Sequence, residues 1–497
     1  MSQLNFVALL LAVIGPLLAL ARLVRLPESL VLLGAGAGAT LLPGVPALQI
    51  DPQLALGLFL PPLLYASTVR VSFHLLRFTV GTGLVVGTVL SLATVGAVML
   101  LARWLFPGLS WAGAALFGAI AALFDTRLFH EAKDRPHVPR ALADALKTRE
   151  MVARVIALAT FAIAARALSD APPSPLEALG RFVYSVAGGI VAGLLIGRMV
   201  AWLRERLDPA PVEIAVSIAS PFLAAVAARA LDLSVVTSVM AAALTVSALR
   251  TDPRTGATGS SSEARISAMA FWEEISLLLS AVLFFLAGQA LPQAVQGLES
   301  RSVEQVALAA ALILGAVLAV QFVTARASTA LPALAPALRD AHGAPVPRGR
   351  AAGLMVWAST RSVIGLILAL SIPTTLPDGQ PFAERSLILV VMSFVILGSV
   401  LLQGLTLTRV VRAVGLDSGG DEREQQEAER TMTQAHEAVA ATHDREGCFA
   451  AERRALLAMR RRNRIGDEVL RRMLRETDLR ARAAEHDALP GAGPPNP

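Results

Sequence analysis

Long apolar stretches separated by short polar loops fill the first 415 residues or so of this 497-residue chain. A run of about 17 to 25 apolar residues is the length that an α-helix needs to cross the hydrocarbon core of a bilayer. The pattern therefore predicts an all-α polytopic membrane protein with about thirteen transmembrane helices. The predicted spans lie near 4–21, 28–43, 52–68, 79–102, 110–124, 150–168, 182–202, 211–229, 233–249, 271–291, 303–325, 350–372 and 386–411.

Basic residues are concentrated in alternate loops between these spans. Because Lys and Arg are enriched in cytoplasmic loops, the bias predicts an outside N-terminus and a cytoplasmic C-terminus in an inner or plasma membrane. The first apolar run has no basic segment before it and no clear cleavage site, which predicts a retained first span. The predicted inner loops carry Arg22, Arg25, Arg70, Arg77, Arg127, Lys133, Arg135, Arg140, Lys147, Arg149, Arg198, Arg204, Arg206, Arg250, Arg254, Arg265, Arg326, Arg339, Arg348 and Arg350, and the outer loops mainly Arg103, Arg181, Arg301 and Arg385.

Composition agrees with this class: 55% of the residues are hydrophobic, 16% are charged, and mean hydropathy is +0.60. The net charge of +6 fits arginine-rich cytoplasmic loops better than a nucleic-acid partner. A single cysteine, Cys448, excludes a disulfide framework and a CxxC redox pair. The chain also lacks a phosphate-binding loop, an HExxH motif and a GxSxG motif. We therefore expect a protein that is not an enzyme and needs no cofactor.

The composition changes beyond residue 414, where the chain becomes highly charged and ends in a Gly/Pro-rich segment. We predict a transmembrane domain over 1–414 and a cytoplasmic helical tail over 415–497. Apolar residues at helical spacing on both sides of "NRIGDE" predict two amphipathic helices joined by a short turn. Such a tail either packs on its own membrane domain or dimer mate, or senses a ligand.

Four polar residues near membrane depth stand out: Asp125 at the end of the fifth predicted span, Arg154 in the sixth, Ser280 in the tenth and Arg361 in the twelfth. Each has an ordinary structural explanation, since Asp125 and Arg361 can mark span ends and a serine can bond to its own helix. However, ionisable residues within spans are costly and are typical of ion pathways. The flanking Gly and Pro residues also favour broken helices that meet near the midplane of a secondary transporter.

Several stretches resemble the sodium/proton exchanger family of monovalent cation:proton antiporters. They include "FLPPLLYA" (59–66), "ALSIPTTLPDGQPFAERSLILVVMSFVILGSVLLQGLTLTRVVRAVGL" (369–416) and, in the tail, "AERRALLAMRRRNRIGDEVLRRMLRETDL" (451–479). The resemblance implies an inverted-repeat antiporter fold with crossed broken helices and a dimerisation domain. It also implies a homodimer that exchanges Na⁺, K⁺ or Li⁺ for H⁺ by alternating access, with a transient alkali cation at Asp125.

The ion-site motifs of that family are not preserved. A gap-free match puts Ala153 and Arg154 where the family has an asparagine and its essential aspartate. Phe124 replaces a proline before Asp125, Ser280 replaces an asparagine, and Arg361 remains without its flanking glycines. The chemistry expected of the family is therefore in question at these positions.

Arg154 is central to that question because a guanidinium in a protein does not release its proton. We expect Arg154 to act as a tethered cation that keeps Asp125 ionised. Glu150, one turn earlier, is a second candidate partner for Arg154 or for Arg361. The alternative is that the span begins near 149, which would put Arg154 only about 8 Å from its boundary, within reach of interfacial water.

Three functions remain open. The first is a working antiporter that relies on Asp125, helped by Thr126, Glu150 and Ser280. The second is a non-exchanging relative, locked by Arg154, that acts as a sensor or scaffold through its tail. The third is an anion pathway lined by Arg154 and Arg361.

Overall fold

The computed structural model describes residues 3–24, 26–42, 55–69, 71, 73–126, 140–168, 175–204, 206, 210–248, 262–298, 302–331, 347–376, 379–414, 420–440, 445–462 and 464–487. Several of the orienting charges, among them Arg25, Arg70, Arg127, Lys133, Arg135, Arg250, Arg254, Arg301 and Arg339, lie outside the described residues.

Helices dominate these ranges, with two short strands. The helices are α1 (Gln3–Val24), α2 (Glu28–Ala39), α3 (Leu60–Thr68, preceded by a π-helical turn at Ala55–Phe59), α4 (Phe73–Leu105), α5 (Trp111–Ala122), α6 (Arg140–Arg166), α7 (Pro175–Arg204), α8 (Ala210–Ala230), α9 (Val235–Ala248), α10 (Ser262–Gln296), α11 (Val303–Ser328), α12 (Arg348–Trp357), α13 (Val363–Leu370), α14 (Glu384–Ser399), α15 (Leu405–Val414, after a π-helical turn at Val400–Gly404), α16 (Gly420–Ala440), α17 (Arg445–Arg461) and α18 (Asp467–Asp487). The strands are β1 (Phe124–Asp125) and β2 (Thr360–Arg361).

Helical structure is found at each of the predicted spans. Among the described residues, six segments are long and apolar enough to cross a bilayer on length and composition: Gly83–Leu105, Leu179–Arg204, Pro211–Ala230, Ala270–Gln296, Val303–Ser328 and Glu384–Val414. The prediction of a mainly helical, multi-pass membrane protein is therefore confirmed. The count of thirteen stays a prediction, because several of the remaining apolar helices are shorter than a bilayer-spanning helix.

Helical structure extends beyond the predicted sixth span on its N-terminal side. Helix α6 begins at Arg140, whereas the span is predicted to begin near residue 150, and the bounds of the span itself stay a prediction. A hydropathy scan misses its first ten residues because they are largely polar, yet Leu142 and Leu146, one turn apart, are buried in a cluster that includes Leu354 and Met355. Lys147 and Arg149, assigned above to a loop, consequently lie within the helix.

The chain forms two compact units, of which the first comprises Met1–Leu63, Thr79–Tyr184 and Ser276–Asp417. Two helical runs in this unit are interrupted. Helix α5 gives way to extended backbone at Leu123, and α12 and α13 are separated by the extended segment that contains β2. The strands β1 and β2 pair in antiparallel fashion, with Phe124 opposite Arg361 and Asp125 opposite Thr360. The interruptions thus bring two functional candidates, Asp125 and Arg361, to one crossing point.

Helices α2 and α10 of the first unit approach each other at two glycines. A Cβ atom on Gly36 would lie 2.0 Å from the carbonyl oxygen of Phe285, and one on Gly288 would lie 2.0 Å from the carbonyl oxygen of Leu33. Such distances are well below van der Waals contact, so only glycine allows this packing. Gly34, in the same helix α2, has no such neighbour within 4 Å.

The second unit comprises Leu64–Phe78, Ser185–Ile275 and Ser418–Pro497. Its C-terminal part contains the predicted helix pair around "NRIGDE", as α17 and α18. It also contains α16, which the sequence analysis did not predict because few large apolar residues mark its buried face. A core cluster joins the three helices through Met432, Leu456 and Met473. The domain division into 1–414 and 415–497 stays a prediction.

A buried carboxylate also links the three tail helices. Glu452 of α17 lies 2.7 Å from Nδ1 of His436 in α16 and accepts hydrogen bonds from Thr477 (3.2 Å) and Arg480 (2.8 Å) in α18. This network specifies how the helices pack, because each of them contributes at least one of its members.

Candidate ion-binding site

The interrupted helices leave backbone carbonyls without helical partners at the crossing point. The Gln403 side-chain amide donates to the carbonyl oxygens of Val356 (2.8 Å) and Ser359 (3.3 Å) at the end of α12. Arg361 donates to the carbonyl oxygen of Ala121, at the end of α5, and to that of Ser359 (3.2 Å). Positive charge is favourable at helix C-termini, so Arg361 stabilises both breaks.

A serine on α14 connects this cap to β2. The Ser399 hydroxyl accepts the backbone N–H of Arg361 (3.0 Å) and donates to the side-chain oxygen of Gln403. Both Ser399 and Gln403 are fully buried, at the start of the π-helical turn Val400–Gly404. The turn therefore supplies the polar groups that the broken helix needs.

A second buried arginine, Arg149 of α6, reaches the same place. Its Nη2 atom donates to the Ser359 hydroxyl (2.6 Å) and to the carbonyl oxygen of Met355 (3.3 Å). The Cζ atoms of Arg149 and Arg361 lie 5.2 and 5.8 Å from the centroid of the Phe124 ring. At these distances each guanidinium makes a cation–π contact with the same ring.

The carboxylate of Glu150 accepts several hydrogen bonds beside the crossing. Its Oε2 atom accepts the hydroxyl (2.7 Å) and backbone N–H (3.3 Å) of Thr126. Lys147 Nζ lies 3.2 Å from Oε2 and 3.4 Å from Oε1, and Arg154 Nη2 donates to Oε1. The Glu150 side chain is 0% exposed, whereas that of Lys147 is 22% exposed. Thus one buried carboxylate is shared by a hydroxyl, an ammonium and a guanidinium.

Arg154 is not an interfacial residue at the end of a helix. It lies near the middle of α6, roughly 20 Å from either end at 1.5 Å per residue. Its side chain is 2% exposed and is paired with Glu150, one turn earlier. The snorkelling alternative requires a side chain that reaches water, which does not fit one that is buried and paired in this way.

The structure places the other predicted site residues as follows. Asp125 is buried, and its backbone carbonyl accepts a hydrogen bond from the Thr360 hydroxyl (3.2 Å). Ala153 packs beside Phe124, and its carbonyl oxygen accepts the Ser91 hydroxyl (3.3 Å). Ser280 donates to the carbonyl oxygen of Ser276 in its own helix (2.7 Å). Direct contacts therefore join Thr126, Glu150 and Arg154 into one site. Asp125 and Arg361 lie beside them on the paired strands.

Sequence reasoning missed four contributors: Lys147, Arg149, Ser359 and Gln403. A signal existed for Lys147, because positions 147, 150 and 154 follow the spacing of one helix face. Arg149 and Gln403 carried no comparable signal, since their partners are more than 40 positions away in the chain.

The arrangement combines oxygen ligands with fixed positive charge. The Glu150 carboxylate and the Thr126 hydroxyl offer the oxygen atoms that hard cations prefer, and Asp125 is adjacent in sequence to Thr126. Among the basic groups that contact Glu150, the Lys147 ammonium can release a proton, whereas the Arg154 guanidinium stays charged.

Comparisons with known proteins agree on the family. A family model described as the transmembrane part of sodium/hydrogen exchangers matches residues 9–413. A Mycobacterium tuberculosis protein described as an uncharacterized Na⁺/H⁺ exchanger is 32% identical over 389 residues, which cover 78% of this chain and 69% of that protein. The Pseudomonas aeruginosa Na⁺/H⁺ antiporter NhaP is 28% identical over 396 residues, which cover 75% and 86% of the two chains.

The fold is similar to that of a solved antiporter. The structure of the sodium proton antiporter MjNhaP1 from Methanocaldococcus jannaschii superposes with a TM-score of 0.61. The match covers 83% of this chain and 98% of that one, at 15% sequence identity. Together with the family model over most of the chain, these matches show that the protein belongs to the sodium/hydrogen exchanger family of membrane transporters.

Proposed function

We propose that this protein exchanges a monovalent alkali cation for protons by alternating access, and that Glu150 is the carboxylate that holds the cation. The observation that carries the proposal is the buried Glu150 carboxylate in the middle of α6, in contact with Thr126 beside the crossing of the interrupted helices. Relatives support the reaction class, since one is named a Na⁺/H⁺ antiporter and a Bacillus pumilus relative is named for sodium, potassium, lithium and rubidium.

Lys147 is the proton carrier in this proposal. A cation that binds between Glu150 and Thr126 displaces the Lys147 ammonium, whose contacts with Glu150 are 3.2 and 3.4 Å long. The bound cation repels the neighbouring ammonium, so Lys147 gives up its proton, which reaches water because the side chain is partly exposed. Gain of the cation and loss of the proton leave the charge of the site unchanged, so the two ions compete for one carboxylate.

Arg154 takes a different role from the tethered cation expected from sequence. It neutralises Glu150 permanently through Oε1, and Oε2 remains the atom at which Lys147 and the cation alternate. Asp125 then supplies the second carboxylate of the site. Ala153 of α6 and Ser280 of α10 do not bind the ion in this proposal.

A second candidate function is a non-exchanging relative that acts as a sensor or scaffold through its tail. The observation that favours it is that protein donors bind both oxygens of Glu150, as they would in a locked site. An anion pathway along Arg154 and Arg361 has no comparable support, because these groups bind Glu150 and helix carbonyls.

The remaining architecture follows from the same family assignment. We propose thirteen spans with the N-terminus outside and the C-terminus cytoplasmic in an inner or plasma membrane. In this arrangement two segments are equivalent elements of two inverted halves: one is α5 with β1, and the other is α12 with β2 and α13. Two copies of the chain form a homodimer.

The test is a pH-gradient assay in proteoliposomes, with Na⁺, K⁺ and Li⁺ added in turn. We expect the unmodified protein and the control Glu304→Gln, which changes an exposed glutamate at the start of α11, to dissipate the gradient. Glu150→Gln should abolish the flux. No flux in the unmodified protein, but flux in the double variant Ala153→Asn, Arg154→Asp, would instead establish the locked alternative.

A further inference from the structure

We propose that a small monovalent anion of the halide class, such as chloride, binds between Arg149 and Arg361 at the helix crossing. The two guanidinium groups converge on one residue, since Nη2 of Arg149 donates to the Ser359 hydroxyl and Nη2 of Arg361 donates to the Ser359 carbonyl. They also share the Phe124 ring, as described above. Two like charges are thus held together by common partners.

Both arginines are buried and neither can become neutral. Arg149 is 1% exposed and Arg361 is 4% exposed. A lysine pair in such a place could relieve repulsion by losing a proton, but guanidinium groups do not. Buried charges are therefore expected to have a counter-charge in contact.

The Glu150 carboxylate does not supply that contact. Both oxygens of Glu150 are bonded to Lys147, Thr126 or Arg154. Counting the basic and acidic side chains named at the crossing, Lys147, Arg149, Arg154 and Arg361 stand against Asp125 and Glu150, an excess of two positive charges. The helix-end carbonyls carry only partial charge and offset part of this excess.

The N–H groups that would hold the anion are identified by their lack of acceptors. In the described part of the chain, Nε and Nη1 of Arg149 and Nε of Arg361 have no hydrogen-bond partner. The remaining Nη atoms of the two residues are used by Ser359, Met355 and Ala121. Because buried N–H groups are rarely left without an acceptor, these three nitrogens mark a place for one.

The groups around these three nitrogen atoms determine which class of ligand the site would bind. The donors are all N–H groups of charged side chains, one wall is the aromatic ring of Phe124, and the site lies among buried residues. A monovalent halide costs less to desolvate than a multivalent anion such as sulfate or phosphate, and its spherical shape lets it accept N–H donors from several directions. The proposal concerns binding and stability and does not depend on ion exchange at Glu150.

The experiment uses the full-length protein in detergent at constant Na⁺ concentration and ionic strength, with chloride replaced by gluconate. We expect chloride to raise the apparent midpoint of thermal unfolding by roughly 3 °C or more. Equilibrium dialysis with radioactive chloride should give about one bound ion per chain. Arg149→Gln should lose both effects.

The matched control is Arg103→Gln. Arg103 also contacts an aromatic ring, that of Trp111, and donates to the carbonyl of Leu109, but it is only half-buried. We expect this variant to keep the chloride response. A loss of chloride binding in Arg149→Gln would then not be explained by the removal of one basic residue alone.

A variant that reverses the charge at position 149 tests the proposal in the opposite direction. In Arg149→Glu a carboxylate faces Arg361 and takes the place of the anion, so the protein should be stable in gluconate and should bind no chloride. Equal unfolding midpoints of the unmodified protein in chloride and gluconate, with no bound radioactive chloride, overturn the proposal whether or not the variants fold. Chloride binding that persists in Arg149→Glu overturns it as well.

Discussion

Arg154 donates a hydrogen bond to the carboxylate of Glu150, four residues earlier in α6, and both side chains are buried in the middle of that helix. A buried ion pair contributes little net stability compared with apolar residues of the same size, but removal of one partner alone is costly. The pair is therefore better explained by function than by folding, since it positions a carboxylate at the helix crossing.

Replacement of Arg154 should be destabilising unless Glu150 is replaced with it. We expect Arg154→Leu to lower the free energy of unfolding by about 3 kcal/mol, because Glu150 loses its strongest partner. The double variant Arg154→Leu, Glu150→Leu should recover most of this loss. Thermal unfolding in detergent measures both, and a double variant as unstable as Arg154→Leu would show that the two residues are not energetically coupled.

Gln403 should be essential for the broken helix α12. Gln403→Leu removes both side-chain hydrogen bonds to the buried carbonyls of Val356 and Ser359. The first then keeps only the backbone N–H of Ser359 as a donor, and the second keeps only Arg361. We expect a loss of about 1–3 kcal/mol in the free energy of unfolding. Gln296→Leu, at the exposed end of α10, is the control and should change stability little. Equal stability of the two variants would contradict the capping role.

The close approach of α2 and α10 predicts opposite outcomes for two glycines in one helix. Gly36→Ala places a methyl group against the backbone of Phe285, and we expect about 1–3 kcal/mol of destabilisation. Gly34→Ala meets open space and should be neutral or stabilising by up to about 1 kcal/mol. Unfolding midpoints of the two variants decide the matter, and equal effects would exclude a steric requirement for glycine at position 36.

The tail helices should separate when their shared carboxylate is removed. Glu452→Ala leaves His436, Thr477 and Arg480 without their common partner, at an expected cost of about 3 kcal/mol to the packing of α16, α17 and α18. Limited proteolysis of the full-length protein should then cut the tail faster. Glu437→Ala, which changes an exposed glutamate of α16, should be cut at the unmodified rate. Identical cleavage of the two variants would be evidence against the network.

The sequence predicted part of the candidate site. Asp125 and Arg361 stood out as charges in or at the end of apolar spans, and the spacing of one helical turn made Glu150 a candidate partner for Arg154 or for Arg361. The first turns of α6 were not predicted, because hydropathy does not report a polar helical turn whose few leucines are buried. Contacts between distant positions, such as Arg149 with Ser359 and Gln403 with Val356, depend on tertiary packing and leave no local pattern.

The most direct test of the central claim is proton release upon cation binding. Sodium chloride is added to the purified protein in weakly buffered detergent solution, and the pH change is compared with that caused by choline chloride. We predict proton release by the unmodified protein and none by Lys147→Arg, in which the charge is kept but the proton cannot leave, or by Glu150→Gln. Absence of release from the unmodified protein, or undiminished release from Lys147→Arg, would contradict the account of Glu150 and Lys147 as the exchange site.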